Sequence, residues 1–271
     1  MLERTTRQVK LTAAGEVLLR DARIALDAIA AAGRRARHAG RSCPQLRLAL
    51  KADNDAGLLP GILSAYQGEE AALAVELVLG GWEEQAQALR DGRADVALLV
   101  SPFDDRGLDF EPLLTEPRLA ALPAADPLAA RSCLRLADLA GRTLPDGTPA
   151  DQDGSTPPRT ADTASSRERP QTASNRLVAA TQRAASDLAQ IFRLIEMGSI
   201  ICFLPASVAR RYPRPEIAYR PVSDLQPATL AVAWPQDSHS AAVAAFVRAA
   251  AAVAAATQAQ TGPLQEAATQ N

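Results

Sequence analysis

Histidine and cysteine are scarce in this 271-residue chain, with two copies of the first and three of the second. His38 and His239 have no neighbours at metal-ligand spacing. Cys43, Cys133 and Cys202 lie far apart, are odd in number and form no CxxC pair. That pattern argues against a zinc site and against a disulfide framework. Lysine occurs only at Lys10 and Lys51, beside 27 arginines. This bias, with the alanine excess, points to a GC-rich genome and says nothing of function. The N-terminus has no apolar h-region, so it does not read as a signal peptide. No apolar run is long and aliphatic enough to cross a bilayer; the alanine-rich stretch 241–256 contains Arg248 and reads as a packed helix. The GxSxG, P-loop and GxGxxG signatures are missing as well, and "GSTPPRT" and the lone cysteines have no base at motif spacing. These absences together point to a cytoplasmic protein that is not an enzyme and carries no cofactor or metal.

What is present fits a soluble globular protein of one to three domains: 47% hydrophobic residues, 22% charged and a net charge of −2. The charge is uneven. Residues 1–41 hold nine Lys and Arg against four Asp and Glu, and the remainder is net acidic. A basic head on an acidic body places any polyanion contact at the N-terminus, with a merely solvated basic helix face as the equal alternative.

Along the chain, "ERTTRQVKL" (3–11) favours extended structure. Thr12 reads as the N-cap of a helix that starts at Ala13 and runs to about His38, with Glu16 favourable to its dipole. Leu18, Ala22, Ala25, Ile29 and Ala32 form a narrow apolar seam, suited to a partner helix or to packing on the chain's own domain. "AGRSCP" (39–44) breaks the helix. Then "QLRLAL", "GLLPGILSAYQ", "ALAVELVLG", "EEQAQALRDGR" and "ADVALLV" alternate strand, helix, strand, helix, strand. That order predicts a right-handed parallel α/β sheet, with ligands outside the carboxyl ends of its strands. "RLAALPAADPLA" (118–129) predicts a strand leaving this lobe, and "LRLADLAGRTL" (134–144) the opening of a second. Residues 145–176 hold five prolines and no large apolar side chain, and read as a long loop or disordered segment. "SDLAQIFRLIEMG" is a helix, "SIICFLP" and "TLAVAWP" are buried strands, and Val243, Phe246, Val247 and Ala250 line a last helix. The polar tail from Thr257 is expected to fray, with 258–271 disordered.

"LERTTRQVKLTAAGEVLLRDARIAL" resembles the end of the winged helix-turn-helix domain of LysR-type transcriptional regulators, in which a wing hairpin passes through an LTxAG motif into a linker helix. Leu11, Thr12, Ala14 and Gly15 stand in that motif. "GLLPGIL", "LRDGRADVALL", "EPRLAALPAADPLA", "LADLAGRTL" and "FLPASVARRY" follow in the family's order, so the resemblance spans residue 2 to about 256. It implies a two-lobed, type 2 periplasmic-binding-protein-like effector domain at 46–257, preceded by a wing remnant and linker helix at 1–40. Lobe I is then 46–121 with 224–257, and lobe II is 122–223. It also implies a small-molecule effector between the lobes, promoter DNA as partner of the full-length form, and a homodimer or homotetramer dimerising through Leu18, Ala22, Ala25 and Ile29. No membrane contact is implied. The effector positions that match are Lys51, Asp53, Asn54, Gly81, Trp82, Ser101, Ser186 and Asp187. Helix capping by Asp53, Asn54 and Ser186, and core packing by Trp82, are the simpler account of each of those residues. Asp53 stands where many relatives carry a small hydroxyl residue, and 145–176 departs from the larger apolar groups usual there. A free-standing solute-binding protein of the same fold is the alternative; it predicts a secretion signal and leaves the LTxAG helix unexplained.

The family's recognition helix would precede Met1, so the chain is expected to begin at the wing, with Arg4, Arg7 and Lys10 as phosphate or minor-groove contacts. Base readout needs an element seated in the major groove. The expected outcome for this polypeptide is therefore weak, salt-sensitive DNA binding, with dissociation constants on the order of 10⁻⁴ to 10⁻⁶ M. Titration against its own upstream region and a scrambled duplex checks this. A preference that survives competitor DNA overturns it.

Overall fold

The computed structural model describes residues 2–4, 9–40, 43–81, 84–152 and 188–269. Strands β1 (Leu2–Arg4) and β2 (Val9–Leu11) pair antiparallel, with Leu2 opposite Leu11. Helix α1 follows at Ala13–Ala39. Its start is the one expected: the Thr12 Oγ1 accepts the Gly15 N–H at 3.1 Å, satisfying one of the free donors of the first turn.

Two sheets make up the body. The larger has the order β4-β3-β5-β10-β6, built from β3 (Gln45–Leu50), β4 (Ala74–Leu79), β5 (Val96–Val100), β6 (Leu108–Glu116) and β10 (Ala228–Pro235). β3 runs parallel to β4 and β5, as the strand–helix alternation predicts, while β10 runs antiparallel to β5 and β6. Helix α2 (Leu59–Gln67) and the last helix α6 (Ala241–Thr269) cover one face. There Tyr66 and Phe246, both fully buried, meet edge to face at 5.3 Å. The buried Tyr66 hydroxyl accepts the Leu73 N–H, and burial pushes its pKa up. Helix α3 (Glu84–Arg90) packs its Ala86, Ala88 and Leu89 on the other face.

The smaller sheet, β8-β7-β9, is antiparallel and comprises β7 (Arg118–Pro123), β8 (Cys202–Pro205) and β9 (Ile217–Pro221). Helix α4 (Leu188–Glu196) supplies Ile191, Phe192 and Ile195 to one face. Leu134, Leu136 and Leu139 cover the other. Helix α5 (Ala206–Arg211) follows β8 directly. The chain passes from the first sheet to the second at Pro117, so Arg118–Ala121 lie in the second sheet rather than in the first lobe.

Two strands escaped the sequence reading. β6 carries Pro112, which has no N–H to give, and strand patterns containing proline read as loops. It is tolerated because β6 is an edge strand and the register shifts between Leu230 and Ala231, whose partners are Leu114 and Pro112. The Leu113 carbonyl, left beside that irregularity, accepts the Gln258 Nε2–H at 2.7 Å. β9 is short and bounded by Pro215 and Pro221. The tail expected to fray from Thr257 instead continues α6 to Thr269. Ala241–Gln260 is long and apolar enough to cross a membrane, with mean hydropathy 1.5. Val243, Phe246, Ala250 and Ala254 of that stretch are nonetheless buried in the core. Of the expected loop 145–176, residues 153–176 lie outside the described residues.

One buried ion pair ties the first sheet together. Arg47 of β3, 8% exposed, bonds Asp95 through Nε (3.0 Å) and Nη2 (2.6 Å) and the Gly92 carbonyl through Nη1 (2.7 Å). Its backbone N–H also donates to Asp95. Removing one partner strands the other charge. We expect Asp95→Ala to cost about 3–5 kcal/mol in urea denaturation, with Arg47→Met/Asp95→Leu recovering much of that. A loss below about 1 kcal/mol, the range of an exposed pair, would show that the contact is peripheral.

Candidate functional site

The carboxyl ends of β3 and β5 face the second sheet across a cleft. Asn54, Ala56 and Val100 line it from the first sheet's loops and strand, with Ala228 and Leu230 of β10 beside them. Glu116, Pro205 and Ser207 close it at the crossover. The cavity between them is about 10 Å³, room for about one water and far below the roughly 300–1,000 Å³ of ordinary ligand pockets.

Ion pairs and hydrogen bonds bridge this cleft. The Glu116 carboxylate, at the end of β6, accepts the Ser207 N–H at 2.7 Å and the Ser207 hydroxyl at 2.5 Å. At the opposite lip Arg211 of α5 reaches the loop after β3. Its Nη1 lies 2.9 Å from Asp55 Oδ1 and 3.6 Å from Asp53 Oδ1. Asp55 is buried, and its other oxygen accepts the Leu59 N–H at the start of α2. The hydrogen bond to Asp55 holds the Arg211 guanidinium more firmly protonated. A hydrogen bond to Asp53 pushes the Tyr212 phenol up from its ordinary value, with burial acting the same way.

The residues expected from the sequence divide sharply here. Asp53 and Asn54 are at the cleft, while Lys51, just past β3, is buried and is not among the residues that line it. Ser101 is only half exposed, and its Oγ accepts the Thr229 N–H at 2.8 Å, so it fastens β5 to β10. The Gly81 N–H donates to Glu84 Oε2 at 2.9 Å and the Gly81 carbonyl accepts from Gln85 Nε2. The turn before α3 therefore satisfies itself and offers no free donor at Gly81. Trp82, Ser186 and Asp187 lie outside the described residues. Glu116, Ser207, Arg211 and Tyr212 were missed. "VARRY" stood in a recognised motif, yet nothing local says that its arginine meets carboxylates more than 150 positions earlier.

At the other end of the molecule α1 docks on the first sheet. Ala31 is buried against Gly92, whose φ is +68°; a Cβ there would come within 3.0 Å of the Ala31 carbonyl oxygen. Arg34 donates to the Asp91 carbonyl in the turn after α3. Leu18, Ala25 and Ile29 stay exposed, Ile29 at 69%, and Ala22 is half-buried. Leu26 widens the stripe at 65%. The side chains of Arg4, Arg7 and Lys10 lie outside the described residues.

The cysteines offer no poised thiolate pair. Cys202 is buried in β8, and burial pushes its thiol up to about 12, with the Lys51 charge acting weakly the other way. Cys43 and Cys133 are exposed.

Comparison with known proteins places this geometry in context. The LysR substrate binding domain matches residues 39–255. The Hca operon transcriptional activator HcaR of Escherichia coli K12 is 27% identical over 248 residues, covering 91% of this chain and 80% of that protein. A probable hydrogen peroxide-inducible genes activator of Mycobacterium xenopi is 36% identical over 134 residues, 48% of this chain and 70% of that one. Among solved structures, oxidised OxyR of Corynebacterium glutamicum aligns with a TM-score of 0.52 at 26% identity, covering 94% of this chain and 80% of that one. The effector binding domain of a BenM variant aligns with a TM-score of 0.53 at 18% identity, covering 79% of this chain and 95% of that one, a likeness of fold.

Proposed function

The chain belongs to the LysR substrate-binding-domain family, and from that premise we propose how its geometry serves a transcriptional regulator that answers to a small-molecule effector. The two sheets are the two lobes, at 46–117 with 224–257 and at 118–223. The effector enters between them, against Lys51, Asp53 and Asn54, with Glu116 and Ser207 facing it from the crossover. The observation that carries this is the position of the cleft: it opens at the carboxyl ends of β3 and β5, where α/β sheets place their ligands. A free-standing solute-binding protein is disfavoured, because the relatives are named as transcriptional regulators over most of this chain.

Peroxide response is not carried over from the relatives that bear that name. A reactive cysteine needs a lowered pKa and access, and Cys202 has the reverse of both. Cytoplasmic location, promoter contact through Arg4, Arg7 and Lys10, and self-association through the exposed Leu18–Ile29 stripe complete the reading. Ile29 is too exposed to serve its own domain, which favours a partner helix over internal packing.

Thermal unfolding against a panel of small organic acids and amines tests the effector site. A binder at about 100 times its dissociation constant adds roughly 2.7 kcal/mol, a rise of about 5–10 °C for a chain of this size. Asn54→Trp, which fills the cleft, is expected to abolish the rise. A panel without effect, or a rise that persists in the variant, counts against the reading. Sedimentation tests the stripe: Ile29→Glu is expected to shift the chain toward monomer, and an unchanged distribution would refute that assignment.

A further inference from the structure

We propose that Arg211 is the movable half of a latch across the lips of the cleft, and that its release from Asp53 and Asp55 opens the two lobes. Whether the cleft holds an effector is a separate reading; the latch concerns only how the lobes close.

The two sides of the cleft are fastened differently. At the crossover, Glu116 holds both the N–H and the hydroxyl of Ser207 in two short bonds, and its side chain is 12% exposed. Arg118, the first residue past the crossover, adds a bond from its Nε to the Gln226 carbonyl in the segment that leads into β10. These contacts sit where the chain passes between the sheets, so they remain made when the lobes pivot. At the lip two neighbouring side chains carry the closure, the Arg211 guanidinium on Asp53 and Asp55 and the Tyr212 hydroxyl on Asp53. The Arg211 side chain is 37% exposed, on a surface helix, and its guanidinium reaches across to the loop after β3. The arginine is water-accessible, so on leaving it is resolvated and recovers its rotamer freedom; the buried Asp55 carboxylate is the half that resists release until the opening lip admits water.

The loop it grips is held in an uncommon conformation. Asp53 has φ 69° and Ala56 φ 51°, left-handed values for residues that carry a Cβ, and Gly57 follows at φ 80°. The guanidinium passes over this glycine: its Nη2 is 3.8 Å from where a Cβ would stand. Arg211 thus binds two carboxylates of one strained loop, and its departure leaves the hydrogen bond of the neutral Tyr212 phenol to Asp53 as the remaining tie across the lip. The cavity left with the latch shut, about 10 Å³, is far smaller than ligand pockets usually are. Opening is therefore a condition of entry for anything but a very small molecule.

Electron–electron distance measurement on the full chain tests this without any ligand. One spin label goes on the native Cys133, exposed in the second lobe. The other goes on Glu70→Cys, exposed in the first lobe, in a Cys43→Ser background; Cys202 is buried and stays unlabelled. The starting protein is expected to give a predominantly short-distance population. Arg211→Ala should raise the ratio of long to short distances about five-fold, Arg211→Glu should raise it further by repelling the two carboxylates, and Arg211→Lys should stay near the starting value. Arg193→Ala, which removes an exposed arginine of the same lobe, is the control and should change nothing. The proposal falls if Ala and Glu at position 211 leave the distribution unchanged, or if Arg193→Ala opens the lobes as much. Because the readout is lobe separation, a failed latch leaves the effector reading standing, and a failed effector screen leaves the latch standing.

Discussion

Glu116 ends the first sheet and holds the second. Its carboxylate takes both donors of Ser207, a residue 91 positions later, at the first turn of α5. The arrangement of the two lobes follows from that contact and from Pro117, where the chain changes sheets. With the crossover fixed, α5 is aimed at the loop after β3, Arg211 arrives at Asp53 and Asp55, and the space between the sheets becomes a cleft with one firm side and one loose side. Charge-assisted bonds to a poorly hydrated carboxylate are the stronger kind, and they lie where the fold needs a pivot.

The first sheet is stiffened independently. Arg47 and Asp95 join β3 to the approach of β5, and the same arginine holds the Gly92 carbonyl. Gly92 is also the seat of Ala31, so the turn after α3 lies between the sheet's ion pair and the long helix α1. Only a residue without a Cβ fits there, since φ is positive and the helix backbone is in contact. The docked face of α1 is small, Ala31 with Arg34. Leu18, Leu26 and Ile29 of its remaining surface stay open to solvent.

The functional reading rests on place more than on residue chemistry. Carboxylates line one lip, and the arginine that neutralises them comes from the other lobe. In the latch we propose, the cleft would present a paired surface when shut and two acidic groups when open. Ser101 and Gly81, matched to effector positions by motif, are instead engaged in holding β5 to β10 and in closing the turn before α3.

Elements whose signal is local were legible in the sequence. The Thr12 cap, the strand–helix alternation of 45–100 and the apolar faces of α2, α4 and α6 each depend on residues a few positions apart, and each stands as read. The ordered motifs led to the family and to the two-lobed fold for the same reason. β6 was hidden because Pro112 breaks its pattern, and only the bulged pairing with β10 makes that proline harmless. The continuation of α6 past Thr257 was hidden because Gln258 finds its acceptor on Leu113, 145 positions away. The cleft's working groups were the least visible. Asp53 and Asn54 sit in a recognisable loop, but Glu116–Ser207 and Asp55–Arg211 join residues 91 and 156 positions apart. A charge on a strand end or a short helix looks solvated until folding removes its water. Sequence determined the strands and helices whose pattern is local. Tertiary packing alone decided which charges would meet.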